Sequence, residues 1–201
     1  MSPQYHHGDL PNALRAAAAE LIVERGLGAF SLREVARRAG VSHAAPAHHF
    51  GDTSGLLTAL AIEGFDHLHA ALVAAGADID DPAERLVRMG RAYVEVAQRH
   101  PAHCAIVFRK DLVDEDDPRY GDGGARAFGA LVAAVEAVRD RYAPDLDVAD
   151  AALHCWATMQ GLVELYPSMA AISEDHGATL PDLPELAERL TRLTLTGLIG
   201  R

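Results

Sequence analysis

Three features of the 201-residue chain predict an all-α fold of about nine helices. Apolar side chains recur at helical spacing in every long segment. Glycines and prolines fall between those segments. No stretch alternates polar and apolar residues as a half-buried strand does.

Residues 1–8 read as a polar arm. Asp9 is placed to cap a first helix that tolerates Pro11 in its opening turn. Leu10, Leu14, Ala17, Ala18, Leu21 and Ile22 form its buried stripe, and Gly26 ends it. A short second helix starts after Ser31. Ser31 can accept from the Glu34 amide, the Glu34 carboxylate can reach back to the Ser31 amide, and Phe30 can close on Val35. Leu32, Val35, Ala36 and Ala39 repeat on one face before Gly40 stops the helix. Ser42 is the N-cap candidate of a third helix, with Pro46 in its first turn. Asp52 caps a long fourth helix marked by Leu56, Leu57, Leu60, Ala61, Phe65, Leu68 and Leu72.

From Pro82 the pattern recurs. Leu86, Met89, Tyr93, Val94 and Ala97 mark a helix ended by His100-Pro101. A short helix covers 102–109 with Cys104, Val107 and Phe108, and the acidic, Gly-rich stretch Lys110 to Gly124 reads as an exposed loop. Phe128, Leu131, Val132, Val135 and Val138 mark the next helix. A further one spans Val148 to Tyr166, a Pro/Gly-containing loop runs to Pro184, and a last helix covers Glu185 to about Ile199. There is no internal repeat and no phosphate-cradling Gly loop.

Length allows one or two domains with a proper core, and 49% apolar with 23% charged residues excludes wholesale disorder. The absence of a basic-apolar leader or a long uncharged apolar run predicts a cytoplasmic protein without membrane partners. Cys104 and Cys155 are too few for a disulfide framework and read as reduced thiols. Net charge is −11, unevenly divided. Residues 1–51 hold five arginines, four acids and five histidines, for +1, while the remainder carries −12. Any footprint on phosphate is confined to the N-terminal end.

Two short helices around a Gly-containing turn fit a helix-turn-helix, whose second helix enters the DNA major groove. They also fit a plain helical hairpin in an all-α core. Two features favour DNA: the second helix carries Arg33, Arg37 and Arg38 against one acid, and the third is small and His-rich. A core hairpin needs large apolar groups at Ala44, Ala45 and Ala47, whereas close approach to base edges needs small ones.

Tyr5-His6-His7-Gly8-Asp9-Leu10, Glu24-Arg25-Gly26, Ser31-Leu32-Arg33-Glu34-Val35-Ala36, Ala39-Gly40-Val41-Ser42, His49-Phe50-Gly51-Asp52 and Leu56-Leu57 resemble the TetR/AcrR family of transcriptional regulators. The resemblance implies a helix-turn-helix DNA-binding domain over 1–52 and a helical ligand-binding and dimerisation domain over 53–201. In it Ser31, Arg33 and His49 match phosphate-contacting positions, and Ser42 to His48 match the base-facing helix. By chemistry His43 and His48 can donate to guanine acceptors or phosphate, and the Ala44 and Ala45 methyls can meet a thymine methyl. Two positions depart from the family, which usually has Tyr at Ala47 and Lys at Thr53. Arg33, Arg37, Arg38 and the helix N-termini are then left to hold the backbone. On this reading Arg38→Ala weakens binding to every sequence, and His48→Ala changes sequence preference.

Downstream, Trp156-Ala157-Thr158-Met159-Gln160-Gly161-Leu162 resembles the Trp-His-Gly (WHG) type of C-terminal domain, with Gln160 where His is usual. The family implies a cavity among the middle helices, with Met89, Tyr93, Phe108, Phe128, Trp156, Met159 and Gln160 as candidates, the alternative for each being plain core packing. It also implies a homodimer through the last two helices, with Ala157, Gly161, Leu186, Leu190, Leu193 and Leu198 as candidates. The expected protein is a repressor released from operator DNA by a small hydrophobic effector, with no cofactor, no metal and no enzymatic activity. Metal or redox sensing through His100, His103, Cys104, His154 and Cys155 is a weaker alternative, lacking CxxC or HExxH spacing. A helical enzyme using His154 and Glu164 is weaker still.

Overall fold

The computed structural model describes residues 10–199. The predicted polar arm 1–8, with its His6-His7 pair, and the Asp9 cap lie outside the described residues. Nine α-helices are found among those described: α1 Leu10–Arg25, α2 Leu32–Arg38, α3 Ala45–Phe50, α4 Thr53–Gly76, α5 Pro82–Arg99, α6 Pro101–Cys104, α7 Pro118–Tyr142, α8 Val148–Asp175 and α9 Leu183–Ile199. They contain no strand. A 3-10 turn, Leu27–Ala29, joins α1 to α2.

The chain forms two compact units. The first comprises residues up to Phe65 together with His100–Gly123, and the second comprises Asp66–Arg99 with the chain from Gly124 onward. Compactness therefore does not divide the chain at the 52/53 boundary read from the sequence, because segment 100–123 folds back onto the N-terminal helices. Helix α4 is continuous through the division. It is long and apolar enough to cross a membrane by length and composition, and half of its most apolar window is buried in the fold.

In the first unit Leu14, Ala18 and Leu21 of α1, Val35 and Ala36 of α2, and Leu56 and Leu60 of α4 are fully buried. Their helical spacing is what places them on single faces. Gly26 takes φ 72, which ends α1 where an L side chain would be strained. Asp52 accepts from the Gly55 amide at 2.9 Å and caps α4 as expected. The buried Thr58 hydroxyl donates to the Ser54 carbonyl (2.7 Å) and accepts the Asp114 amide (2.8 Å), pinning the acidic segment to α4. That segment ends earlier than the sequence suggests. Asp117 accepts from the Arg119 amide, Pro118 opens α7, Tyr120 donates to the Val107 carbonyl at 2.9 Å, and Gly123 packs on Phe65. Glycine suits position 123 because an added Cβ would stand 3.2 Å from the Phe65 Cβ.

In the second unit α5 packs on α8 and α9. Helix α8 runs to Asp175, through Pro167, where the sequence suggested a loop from Tyr166. A proline removes one amide donor, and the helix on either side carries it through. Asp182 accepts the Glu185 amide at 2.7 Å and sets the start of α9. Arg91 joins Glu188 (2.9 Å) and Glu95 (2.8 Å), and Arg192 joins Glu84 (2.8 Å). Exposed pairs of this kind contribute little individually. The two helices approach closely at Gly90, where an added Cβ would overlap Thr191 Oγ1. Thr191 is short, β-branched and buried, and its hydroxyl already donates to the Ala187 carbonyl (2.9 Å).

Gly90→Ala is expected to destabilise the protein by about 1–3 kcal/mol through this overlap. In a Thr191→Ala background the same change should be neutral or stabilising, since Ala is the better helix former. Denaturant unfolding of the four proteins measures the reversal.

Candidate nucleic-acid interface

The N-terminus of α2 is built as the sequence suggests, but only by half. Ser31 takes an extended backbone and its hydroxyl accepts the Glu34 amide at 3.3 Å. The Glu34 carboxylate does not complete the reciprocal bond. It is held by Arg37 (2.6 and 2.9 Å) and lies 3.4 Å from Arg25. The Arg37 hydrogen bond, aided by the charges of Arg37 and Arg25, holds its carboxyl at about 2 against an ordinary 4.5. Two guanidinium groups outcompete one backbone amide for this carboxylate.

Gly40 adopts φ 68 and turns the chain out of α2. Helix α3 then begins later than expected. Its N-cap is Ala44, with no side-chain cap, and the Ser42 carbonyl accepts the Ala45 amide at 3.0 Å. Ser42 thus closes a turn before the helix in place of capping it, because Pro46 fits only within the first turn. Pro46 is the one fully buried residue of α3. Ser42, His43, Ala44, Ala47, His48 and His49 are exposed, and Ala45 is half-buried. The His48 and His49 rings meet edge to face at 5.4 Å. Gly51, at φ 80, ends α3, and Thr53 is exposed at the start of α4. A helix seated mainly through one proline ring, with Ala45 and Phe50 half-buried beside it, presents its other side chains to solvent.

The arginines divide differently from the sequence reading. Arg38 was expected to grip DNA, but its side chain is 16% exposed and turned to α1, bonded to Glu24 (2.7 Å) and 3.5 Å from Glu20. The Glu24 hydrogen bond raises the Arg38 pKa, and the same bond lowers that of Glu24. Arg37 is exposed but bound to Glu34, and Arg15 pairs with Glu63 at 3.1 Å. Among the described residues Arg33 is the head arginine that is exposed and in no ion pair. A polar cleft of about 530 Å3 beside the end of α3 is lined by Phe50 to Asp52, Lys110 and the acids Asp114 to Asp116, with Lys110 held by Glu115 at 2.7 Å.

A second, small cavity lies within the other unit, with a volume of about 30 Å3. Met89, Tyr93, Trp156 and Met159 line it as the sequence suggested, joined by Leu72, Leu86, Leu131 and Thr191, which carry no sequence signal separating them from core. No charged side chain lines it. Gln160 and Phe128 stand behind the lining. Gln160 accepts from the Tyr93 hydroxyl (2.7 Å), and Phe128 meets the Trp156 ring at 5.5 Å. Phe108 is a correction. It is 43% exposed and stacks edge-on to Phe65 in the first unit, because segment 100–123 belongs there. Cys155 also lines the cavity, and burial pushes its thiol up to about 11, away from thiolate chemistry. Of the residues of the metal alternative, His103 Nε2 lies 3.5 Å from Glu63 and its ring 5.6 Å from that of His100, and His154 and Cys155 belong to the second unit. His154 faces Thr194 at 3.4 Å, and Glu164 accepts from Gln160 at 3.0 Å, so each is engaged apart from the other.

On α8 and α9, Ala157 and Leu193 are exposed, and Gly161, Leu186, Leu190 and Leu198 are half-buried. The sequence reading missed Leu153, Leu165 and Ile172, which are 62%, 59% and 59% exposed. Leu153, Ala157, Gly161 and Leu165 recur every fourth residue, a spacing that could have revealed the stripe. A Cβ on Gly161 would meet nothing within 4 Å.

A capped helix, a Gly turn and a short exposed helix anchored by one proline define a helix-turn-helix head. Residues 14–60 match the family described as bacterial regulatory proteins, TetR family, and residues 86–192 match the tetracyclin repressor-like C-terminal domain. The chain belongs to the TetR family of DNA-binding transcriptional regulators. Among solved structures, a protein of unknown function from Rhodococcus sp. RHA1 is 29% identical with a TM-score of 0.80, over 98% of this chain and 100% of its own. The TetR family regulator PfmR from Thermus thermophilus is 22% identical, with a TM-score of 0.74 over 92% and 98% of the two chains. The ketosteroid transcriptional regulator KstR2 of Mycobacterium tuberculosis is 21% identical, with a TM-score of 0.71 over 96% and 97%. None of the curated proteins matches the chain.

The Arg37 bond to Glu34 carries a pH signature. A lowered carboxyl pKa contributes stability that is complete above 4.5 and is lost as pH falls through about 2. The melting-temperature gap between wild type and Glu34→Gln should therefore be constant above pH 4.5 and close toward pH 2. A gap that opens on acidification would contradict the pairing.

Proposed function

We propose that this regulator is a homodimeric repressor in the cytoplasm, released from its operator by a small, uncharged, largely apolar effector. The observation that carries the DNA part is α3: Pro46 is buried and Ser42, His43, Ala44, Ala47, His48 and His49 are exposed. Small methyls let the backbone come near base edges, and His43 and His48 supply donors for guanine acceptors or phosphate. Ser31, Arg33, His49 and Thr53 are exposed where they can hold the phosphate backbone on either side. Arg33 is the general phosphate contact in this reading. Arg38 is a positioning residue that holds α2 on α1.

The stripe of Leu153, Ala157, Gly161, Leu165 and Ile172 on α8, with Leu193 on α9, supports pairing with a second copy. Exposed leucines around an open glycine suit close helix–helix approach, and two heads must reach major grooves about 34 Å apart. The effector reading rests on the cavity beside Trp156. The Tyr93 hydroxyl donates to Gln160, that of Thr158 to the His154 carbonyl and that of Thr191 to the Ala187 carbonyl, so few free donors remain for a ligand. Such a lining favours hydrocarbon and repels ions. Leu72 of α4 reaches this cavity and the same helix begins shortly after α3, so an effector that biases α4 can alter the head.

A DNase footprint on the DNA flanking the protein's own gene tests the reading. Protection of two half-sites about one helical turn apart is expected. Leu165→Arg combined with Leu193→Arg should convert dimer to monomer in sedimentation and abolish the paired protection. A monomeric wild type, or protection without half-site spacing, would contradict it.

A further inference from the structure

We propose that the charge with which this head grips DNA is carried mainly by His43, His48 and His49, so that DNA binding takes up protons. The proposal rests on the DNA-binding reading of α3 and adds how that contact is regulated.

The inference follows from where the other cations are. The chain has a single lysine, Lys110, outside the helix-turn-helix and bound to Glu115. Arg15, Arg25, Arg37 and Arg38 all face carboxylates of the same unit, leaving Arg33. Phosphate binding from one arginine is weak. The surface that reaches toward DNA holds three exposed imidazoles instead. Histidine is the side chain that gains its charge between about pH 5 and 8.

The charged groups around α3 leave these rings to an external anion. Helices α1 and α2 pack against it. Their acids Glu20, Glu24 and Glu34 are engaged by Arg38, Arg37 and Arg25. Past its end, Asp52 accepts from the Gly55 amide, and Asp114, Glu115 and Asp116 line the cleft with Phe50 and Gly51. Among the described residues no carboxylate pairs with His43, His48 or His49. The His48 and His49 rings, 5.4 Å apart and both exposed, can face a single anion together. A phosphate supplies that anion, so proton and DNA binding support each other. Affinity then falls by up to about tenfold per pH unit for each proton linked.

The test is fluorescence anisotropy on a short random-sequence duplex at constant ionic strength from about pH 6 to 8. Wild-type affinity should drop about tenfold or more across that range. The triple variant H43Q/H48Q/H49Q should bind weakly with little pH dependence. The triple variant H43R/H48R/H49R should bind tightly and be equally flat. Wild-type affinity that is unchanged across the range, or a Gln variant that keeps the wild-type slope, would overturn the proposal while leaving the DNA-binding reading intact. Failure of the wild type to bind any duplex at every pH would overturn the DNA-binding reading itself.

Discussion

The clamp between α1 and α2 is the constraint on which the head depends. Arg38 closes on Glu24 and Glu20, and Glu34 gathers Arg37 and Arg25. Each pair is partly exposed and modest alone. Together they fix the roll of a helix only seven residues long, too short to hold itself in water. With α2 fixed and Gly40 setting the exit angle, Pro46 can seat α3 with one ring. The cost is charge, since the same glutamates that brace the head neutralise most of its cations.

Much of this was legible beforehand. Ser31 as cap, Gly26 and Gly40 as stops, Asp52 as cap and the stripe of α1 all follow from local chemistry that acts within one turn. What the sequence misplaced depended on competition or on distant packing. Arg38 looks like a DNA contact because nothing in its neighbourhood shows Glu24 fourteen residues back on another helix. Phe108 looks like a cavity residue until segment 100–123 is seen to fold against Phe65. The Gly-rich start of α7 reads as loop for a related reason. Gly is a poor helix former, and packing such as that of Gly123 on Phe65 overrides the preference.

The second unit obeys a different rule. Its cavity exists because α5, α8 and α9 meet with Gly90 at the contact and leave space between Met89, Trp156 and Met159. Sequence marked those residues but could not separate lining from core, since both are apolar at helical spacing. Cys155 illustrates the same limit. A thiol next to His154 looks reactive on paper, while burial makes it an inert part of the wall.

The central claim is that the exposed side of α3, with the cap of α2, is where duplex DNA lies. Amide chemical-shift mapping of the isotope-labelled protein during titration with operator or random duplex tests it most directly. The account predicts the largest changes at Ser31 to Arg33 and from Ser42 to His49, with Leu14 and Leu21 little moved. Changes centred instead on α8 and α9, with α3 silent, would contradict it.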